Sequence, residues 1–491
     1  MIKKLLTVLF GMMVGVALLP YLVIPQPAMP PGTNLSSGSY DYEHAKLLID
    51  RTFRPDGADA VHTQHQIFDT ILSEIQQAEE FVIADFFLWN PWLGGLEGAS
   101  DLRNLSSELA EALIAKRIQK PDMPIVVLTD PINRIYGEQL AEPLAALIEA
   151  GVSVVFTDLT KLPDSNRLYS AQADFWGQYI DLSGVPALPN PFDSDGELLS
   201  LSEFSRLLYF KANHRKVLVT KRKGEEPRLL IGSLNPADGS ANHSNLGLLV
   251  DGAVASFAAQ SELELVAWSS AGDRVVEQQI ETIRKCLPSL AHAPVGVGGK
   301  STAAWRSEGA VRDEIVRQLA RAGKNTRIDI ALFYLSERTV IKALSEASSR
   351  GAVIRILLDA NRDAFGREKT GVPNRPVAAE LVEAGCEVRW AATAGEQFHS
   401  KVMRIRDTRE DLLFLGSANW TRRNIGNYNL EANILLESAG SVGGEFDRYF
   451  ESIWSNSAGV IESLPYEEFA DESAFKKWRY RFQEWSGLST F

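Results

Sequence analysis

The chain has 491 residues, 45% of them hydrophobic and 23% charged, which is typical of a globular protein with two domains or one large two-lobed domain. This composition excludes a chain that is mainly disordered, collagen-like or coiled-coil. The net charge of −13 argues against a general role in coating nucleic-acid duplexes, although it allows a local basic pocket. Cys286 and Cys386, the two cysteines, are too few for a disulfide framework or a cysteine-based zinc site, and they can pair once at most.

Residues 1–25 are predicted to direct the chain to a membrane. Lys3 and Lys4 precede an uncharged apolar run over residues 5–24, and a helix of about 20 residues crosses a hydrocarbon core of about 30 Å. Because the run is longer than a signal-peptide core, we predict an uncleaved signal anchor, with a signal peptide as the alternative. The lysines then place the catalytic part on the periplasmic or extracytoplasmic side of the inner membrane, or outside the cell if the leader is cleaved. Residues 26–60 are predicted to be a tether, since they begin rich in Pro, Gly and Ser.

The rest of the chain contains the same order of predicted elements twice. In the first half these are a helix at 67–78, a strand at 81–89, a helix at 105–118, a strand at 124–130, a helix at 140–150 and a strand at 152–156. In the second half the corresponding segments are 311–322, 328–335, 339–350, 353–359, 377–384 and 386–390. Apolar strands that alternate with amphipathic helices are typical of parallel βαβ units with both sheet faces covered. The sequence therefore predicts an α/β fold of two homologous α/β/α lobes with mostly parallel or mixed sheets.

The repeat also sets the predicted domain boundaries. The first lobe is predicted at 61–290 and the second at 301–465, with a glycine-rich linker at 291–300 and a C-terminal tail at 466–491. The first half is about 49 residues longer than the second between matching glycines and histidines, which predicts an insertion at about 160–208.

Each half then carries a His-x-Lys sequence followed by a Gly-Ser-x-Asn turn. The first pair is His214 and Lys216, and the second is His399 and Lys401, 399 − 214 = 185 residues later. Residues two apart on a strand point to the same face, so each histidine and its lysine are expected to enter one cleft.

Two histidines and two lysines in one cleft suit displacement at phosphorus. One neutral histidine attacks phosphorus, while the other, as imidazolium, protonates the leaving alcohol. The lysines and the turn residues are expected to hold the non-bridging oxygens, namely the amides of Asn235 and Asn419 and the hydroxyls of Ser233 and Ser417. This scheme needs neither a metal nor a cofactor.

At these residues the chain resembles the phospholipase D superfamily, whose signature is His-x-Lys-x4-Asp followed by Gly-Ser-x-Asn, present twice in two-lobed members. The resemblance covers about residues 60–460, and the second copy is the more specific because Glu431 follows its turn. It implies an enzyme, a phosphoric diester hydrolase or phosphatidyltransferase, that forms a covalent phosphohistidine without metal. It also implies two lobes packed as a pseudo-dimer, so that a monomer without an obligate protein partner suffices. In the family, the acid that matches Glu431 hydrogen-bonds a histidine and fixes its tautomer.

The chain departs from this pattern at three positions. Lys221 and Arg406 stand where the signature has Asp, and Gly247 stands where aligning Asn245-Leu246 with Asn429-Leu430 leads us to expect the counterpart of Glu431. We therefore expect Glu431 to orient His399 and expect His214 to lack such an acid, unless Asp238 or Asp251 substitutes. Neither histidine is assigned as the nucleophile at this point, and a non-catalytic relative that binds phosphate stays open. His243, near the first turn, is the most interesting of the other histidines.

The surroundings of the motifs favour a phospholipid membrane as substrate over nucleic acid. The insertion is rich in aromatic residues and leucine, and it holds 3 basic against 7 acidic residues, the wrong sign for a strand-binding groove. We expect hydrolysis of a phospholipid or transfer of its phosphatidyl group to an alcohol, as in cardiolipin synthases. The alternative is a periplasmic nuclease, for which the basic cluster is the discriminating feature; its members are Lys211, Arg215, Lys221, Arg222 and Lys223.

Overall fold

The structure is a computed structural model that describes residues 19–54, 62–94, 96, 102–137, 139–180, 184, 186–191, 197–290, 301–364, 367–457, 459–489 and 491. Among these residues, no helix is long and apolar enough to cross a membrane. Most of the predicted membrane segment (residues 5–18) and the whole predicted linker (291–300) lie outside the described residues.

The chain forms strands throughout its described length. In chain order they are β1 (Tyr40–Asp41), β2 (Ala45–Phe53), β3 (His62–His65), β4 (Phe81–Phe86), β5 (Ile125–Thr129), β6 (Ser153–Phe156), β7 (Pro186–Leu188), β8 (Leu199–Ser200), β9 (Lys216–Lys221), β10 (Arg228–Gly232), β11 (Asn245–Asp251), β12 (Thr302–Ser307), β13 (Arg327–Leu332), β14 (Val353–Leu358), β15 (Asp363–Ala364), β16 (Arg367–Glu368), β17 (Glu387–Ala391), β18 (Lys401–Arg406), β19 (Asp411–Gly416), β20 (Ala432–Glu437) and β21 (Ser463–Pro465).

The helices cover the faces of the sheets. They are α1 (Gln66–Gln77), α2 (Leu105–Gln119), α3 (Glu142–Glu149), α4 (Arg167–Gly177), α5 (Leu201–Leu207), α6 (Ala253–Ser269), α7 (Arg274–Cys286), α8 (Gly309–Arg321), α9 (Arg338–Ser349), α10 (Asn374–Glu383), α11 (Arg422–Ile425), α12 (Gly440–Ser455) and α13 (Ala474–Ser486). All six helices predicted in the repeat are present, with ends shifted by at most three residues.

The two lobes contain an eight-stranded and a nine-stranded sheet that share a core of seven strands with the same topology, from β2 to β6 in the first and from β12 to β17 in the second. The first has the order β3-β2-β11-β10-β9-β4-β5-β6, and the second β1-β12-β20-β19-β18-β13-β14-β17-β21. In each sheet three strands are parallel, β4-β5-β6 and β13-β14-β17, while the neighbouring strands run antiparallel. The prediction of two similar α/β lobes with mixed sheets is therefore confirmed.

Both ends of the described chain belong to the folded body. The prediction of a tether at 26–60 is wrong for residues 40–53, because β1 pairs with β12 of the second lobe and β2 pairs with β11 of the first. β2 is held by pairing with a strand on each side and by Leu47 and Leu48, which are fully buried. The predicted tail 466–491 contains α13, whose Tyr480 is fully buried.

The lobes share one interior, and a buried ion cluster joins them. Apolar residues of both sheets pack into one core, among them Ile231 of β10 and Ile434 of β20. Arg215, which has no exposed side-chain surface, lies 3.0 Å from Glu262 and, across the lobe boundary, 2.7 Å from Glu308. Glu308 also accepts a hydrogen bond from the backbone N–H of Glu431 at 3.0 Å. Arg215, the residue between His214 and Lys216, thus joins the two lobes through buried ion pairs.

Replacement of Arg215 by methionine is expected to lower the free energy of unfolding by about 3–5 kcal/mol, because two buried carboxylates lose their cation. Urea denaturation followed by circular dichroism measures this loss. Arg312→Met is the matched control: Arg312 pairs with the exposed Asp313, and its loss is expected to change stability by less than about 0.5 kcal/mol. Equal effects of the two substitutions would show that the cluster does not hold the lobes together.

Candidate active site

The two His-x-Lys sequences enter their strands at matching points. Lys216 is the first residue of β9 and Lys401 the first of β18, so each histidine lies two residues before its strand. Lys216 Nζ donates a hydrogen bond to the His214 carbonyl at 2.8 Å, and Lys401 Nζ donates to the His399 carbonyl at 2.6 Å. These bonds bring each ammonium group back beside its own histidine.

The acid Glu431 belongs to His214, not to His399. His214 Nδ1 lies 2.7 Å from Glu431 Oε1, whereas His399 Nδ1 lies 3.0 Å from the carbonyl of Ser233 and 3.2 Å from Asn245 Oδ1. Our expectation that Glu431 orients His399 and leaves His214 without an acid is therefore wrong, because each lobe supplies the partner for the other lobe's histidine. Carbonyl and ionised carboxylate oxygens only accept, so both Nδ1 atoms carry the proton and both Nε2 atoms are free to react.

Asn245 stands at the position that matches Glu431. The Ser417 hydroxyl donates a hydrogen bond to Glu431 and accepts one from the N–H of Ala432 at 3.0 Å. In the same way, the Ser233 hydroxyl donates to Asn245 at 2.9 Å and accepts from the N–H of Leu246 at 3.2 Å. The site therefore pairs one histidine with a carboxylate and the other with a neutral amide. Both serine hydroxyls, predicted to bind phosphate, are fully buried and hold these two partners.

Two aspartates missed by the sequence reasoning fix the backbone before each histidine. Asp130 accepts from the N–H of Asn213 at 2.7 Å, and Asp359 accepts from the N–H of Phe398 at 2.9 Å. Burial raises the pKa of Asp130 to about 7 and that of Asp359 to about 6. Each is the last residue of a predicted strand, in equivalent places of the repeat, and this was a signal that could have identified them.

Aromatic rings form a second symmetric feature. The rings of Phe87 and His214 lie 4.8 Å apart between centroids, and those of Phe333 and His399 lie 5.0 Å apart. Lys216 Nζ is 5.2 Å from the ring of Phe87, and Lys401 Nζ is 5.1 Å from that of Phe333. These rings hold the imidazoles in place and face the ammonium groups.

The electrostatics of the buried site favour an anion. Burial lowers the pKa of His214 to about 4 and that of Lys216 to about 7, and it lowers the pKa values of His399 and Lys401 well below their usual range. Burial alone would raise the pKa of Glu431, but His214 and Lys216 bring it below its usual value, so this carboxylate is ionised. A bound anion stabilises the protonated forms of these two histidines and two lysines.

The predicted phosphate-binding amides of Asn235 and Asn419 are also buried, at 5% and 6% exposure. Within the part of the chain that the structure describes, their Oδ1 atoms have no hydrogen-bond partner. Buried polar atoms without partners are uncommon in folded proteins. Phosphate binding by these two residues stays a prediction, and their unused hydrogen-bonding capacity is consistent with it.

The replaced signature aspartates lie away from the reacting groups. Lys221 and Arg406 end the strands that Lys216 and Lys401 begin, and five residues of strand span about 16 Å. Lys221 lies 2.6 Å from Glu80, and Arg406 lies 2.5 Å from Asp329. These departures therefore change ion pairs at the far end of each strand and leave the site's side chains in place.

The structure also shows the contacts of Asp238, Asp251 and His243, the other candidates from the sequence. Asp238 accepts from the N–H of Ser106, and Asp251 lies 2.7 Å from His44, so neither orients His214. His243 is buried, with its ring centroid 5.9 Å from that of His399.

Residues 315–454 match the family model described as cardiolipin synthase, PLD-like domain. This part of the chain is therefore similar to a phospholipase D-like domain. The match lies within the second lobe, and the first lobe repeats the same topology and motifs.

Solved structures resemble this chain at low sequence identity. Phosphatidylserine synthase from Haemophilus influenzae Rd KW20 is 10% identical over 92% of this chain and 96% of its own, with a TM-score of 0.55. Nuc, a phospholipase D family member from Salmonella typhimurium, is 17% identical over 33% of this chain and 97% of its own, with a TM-score of 0.26. The first likeness shows the shared two-lobed fold. No curated protein sequence matches the chain.

Proposed function

We propose that this protein hydrolyses a phospholipid, or transfers its phosphatidyl group to an alcohol, through a covalent intermediate on His214. The observation that carries the proposal is the unequal support of the two histidines: Glu431 contacts His214, and neutral groups contact His399. A phosphorylated imidazolium keeps a positive charge for the lifetime of the intermediate, so it needs a lasting counter-charge. A general acid such as His399 instead loses its positive charge when it gives up its proton. Neutral partners do not stabilise that charge, so they make the imidazolium a stronger acid.

The reaction then takes two displacements. Nε2 of His214 forms a bond to phosphorus, and the bond from phosphorus to the head-group oxygen breaks as His399 gives that oxygen its Nε2 proton. Neutral His399 next removes a proton from water or from an alcohol, whose oxygen attacks phosphorus and releases His214. Lys216, Lys401 and the two turn amides hold the non-bridging oxygens in both steps.

The basic cluster that would favour a nuclease does not form an open groove. Lys211 lies 2.5 Å from Asp164, Arg215 is buried in the interlobe cluster, and Arg222 lies 3.3 Å from Glu74. Single-stranded nucleic acid is held by unpaired cations and stacking rings along a strand. The paired state of this cluster supports the lipid over the nucleic acid.

A cleft beside the site suits the apolar part of a phospholipid. Its volume is about 1470 Å³, and it reaches from Thr157 to the insertion, where Trp176 and Tyr179 line it. Thr157 accepts a hydrogen bond from the side chain of Asn213, the neighbour of His214, at 3.0 Å. The lining also includes charged side chains such as Asp174 and Arg206, so the aromatic rings supply the apolar part of a mixed surface. Anchoring in the inner membrane, with this cleft on the outer side, remains part of the proposal.

The substrate is tested with vesicles of mixed phospholipids and, separately, with labelled single-stranded DNA, both in the presence of a chelator. We expect release of head group or formation of a new phosphatidyl alcohol, and loss of either product in His399→Ala. Cleavage of DNA without turnover of lipid would overturn the proposal in favour of a nuclease. Binding of phospholipid without any turnover would instead support a phosphate-binding relative.

The pH profile follows from Lys216. Its pKa is lowered to about 7 by burial, and only the protonated form stabilises the phosphate oxygens, so kcat/KM is expected to fall as pH rises above about 7. Lys216→Arg keeps its charge at high pH, so the part of the fall centred near pH 7 is expected to disappear in this variant. Loss of protons from His399 and Lys401, whose pKa values are also lowered, affects both proteins. A limb of unchanged position in that variant would show that another group titrates.

A further inference from the structure

Helix α13 presents an aromatic stripe to the outside of the molecule. The stripe consists of Phe475, Trp478, Phe482 and Trp485, which are 68%, 60%, 40% and 71% exposed. Their spacing of three, four and three residues places them on one helix face. Neighbouring rings pack on one another, with centroids 5.5 Å apart for Trp478 and Phe482. A continuous exposed apolar surface of this kind marks an interaction site.

The polarity of α13 is the reverse of that of an ordinary surface helix. Its inner face is polar: Glu484 accepts from the Ser336 hydroxyl at 2.6 Å, and the Tyr480 hydroxyl contacts Glu380. A helix that packs on a globular core turns its apolar face inward. In α13 the polar face contacts the second lobe, and the aromatic face is largely exposed.

The end of α13 leads to the active site. Gly487 packs so closely on the insertion that an added Cβ would lie 2.0 Å from the Ser165 carbonyl oxygen. The last described residue, Phe491, has its ring 6.1 Å from that of Tyr334, which in turn lies 4.1 Å from the ring of Phe333 beside His399. The residues that follow the aromatic stripe thus reach the buried rings beside His399.

The N-terminal apolar segment, residues 21–24 in this region, contacts the same part of the insertion as Gly487. Arg167 of the insertion donates to the carbonyls of Tyr21 at 2.8 Å and Ile24 at 3.0 Å, and its guanidinium lies 4.5 Å from the Tyr21 ring. Leu22, between them, is 77% exposed. Two exposed apolar segments from opposite ends of the chain therefore meet at residues 164–167.

We propose that the aromatic stripe docks this protein on the surface of a phospholipid bilayer and sets the site at the level of the head groups. Trp and Phe on one helix face beside cationic residues are typical of helices that lie in a membrane interface. α13 carries four cations and one carboxylate, which is buried, in a chain of net charge −13. The docking surface stands independently of the reaction; only its purpose, delivery of lipid to the site, rests on the proposed function.

Docking is tested on the full chain reconstituted in vesicles of phosphatidylcholine and phosphatidylglycerol whose acyl chains carry bromine, which quenches tryptophan emission. We expect the double variant Trp478→Phe/Trp485→Phe to lose at least half of the quenching seen for the unaltered chain. Trp454→Phe is the control, because Trp454 packs against Phe450 on the second lobe, and its loss is expected to leave the quenched fraction unchanged. Equal quenching in the unaltered chain and the double variant overturns the proposal, as does cross-linking of two copies through α13.

Turnover separates docking from chemistry. The triple variant Phe475→Ser/Trp478→Ser/Trp485→Ser is expected to act roughly tenfold more slowly on vesicles and equally fast on a short-chain phospholipid present as monomers. Equal rates of this variant and the unaltered chain on vesicles would contradict delivery of lipid by the stripe. If the unaltered chain turns over neither lipid while the quenching pattern holds, the proposed function fails and the docking surface stands.

Discussion

His214→Asn is expected to lower turnover by at least about a thousandfold on every phosphodiester, because it removes the atom that bonds to phosphorus. His399→Asn is expected to lose about as much with a natural phospholipid, whose head-group alcohol leaves poorly without a proton. With p-nitrophenol as the leaving group, the first step needs no acid. His399→Asn should then release a burst of nitrophenol, and His214→Asn should not.

The two variants control for each other, since both remove a buried imidazole from equivalent places in the two lobes. Circular dichroism and thermal unfolding establish that both are folded. A burst from His214→Asn, with none from His399→Asn, would reverse the assignment of nucleophile and acid. Loss of the burst in both variants would show that the two histidines do not act separately as nucleophile and general acid.

Glu431→Gln is expected to lower kcat by about 10²–10⁴-fold, the range in which orienting carboxylates act on catalytic histidines. Glutamine has nearly the same shape, but it removes the charge that lies 2.7 Å from His214 and can offer an N–H to Nδ1, which would put the proton on Nε2, the reacting nitrogen. Steady-state kinetics on vesicles measure the loss. KM is expected to change little, because Glu431 acts through His214 and does not touch the lipid.

Glu383→Gln is the matched control, because Glu383 is exposed at the end of α10. A structural role for Glu431 would lower stability and leave the p-nitrophenol burst intact in the folded fraction. The orienting role instead removes the burst from protein that is fully folded. Unchanged kcat in Glu431→Gln would contradict the assignment of His214 as the nucleophile.

Much of the fold follows from local patterns that the sequence displays. The apolar runs and amphipathic stretches of the repeat correspond to β4, β5, β6, β13, β14 and β17 and their helices, because burial on both sheet faces imposes a pattern on consecutive residues. The N-terminal strand β1 lacks such a run. β1 has two residues and pairs with a strand about 260 positions away, so nothing local indicates it.

The sequence identified the residues of the candidate site, but it did not identify which acid or amide contacts which histidine. His214 and Glu431 are 217 positions apart and meet only because the lobes face each other, which no periodicity records. The alignment by the Asn-Leu pairs placed Gly247 opposite Glu431, whereas the serine hydroxyls place Asn245 there. A slip of two residues keeps the side-chain direction of a strand, so the pattern alone did not expose it.

The reversed polarity of α13 is a further case. Its aromatic residues predict a helix with an apolar face, and a sequence alone leads one to place that face in the core. The polar contacts of Tyr480 and Glu484 decide the opposite orientation, and they depend on side chains from distant segments.

Location of the covalent intermediate tests the central claim most directly. The full chain is mixed with phospholipid vesicles, denatured within milliseconds at alkaline pH, at which phosphohistidine persists, and digested for tandem mass spectrometry. The account predicts a phosphatidyl group on the peptide that contains His214, its absence in His214→Asn, and its presence when His399→Asn meets the p-nitrophenyl substrate. A phosphatidyl group on His399, or rapid turnover with no modified histidine, would contradict it.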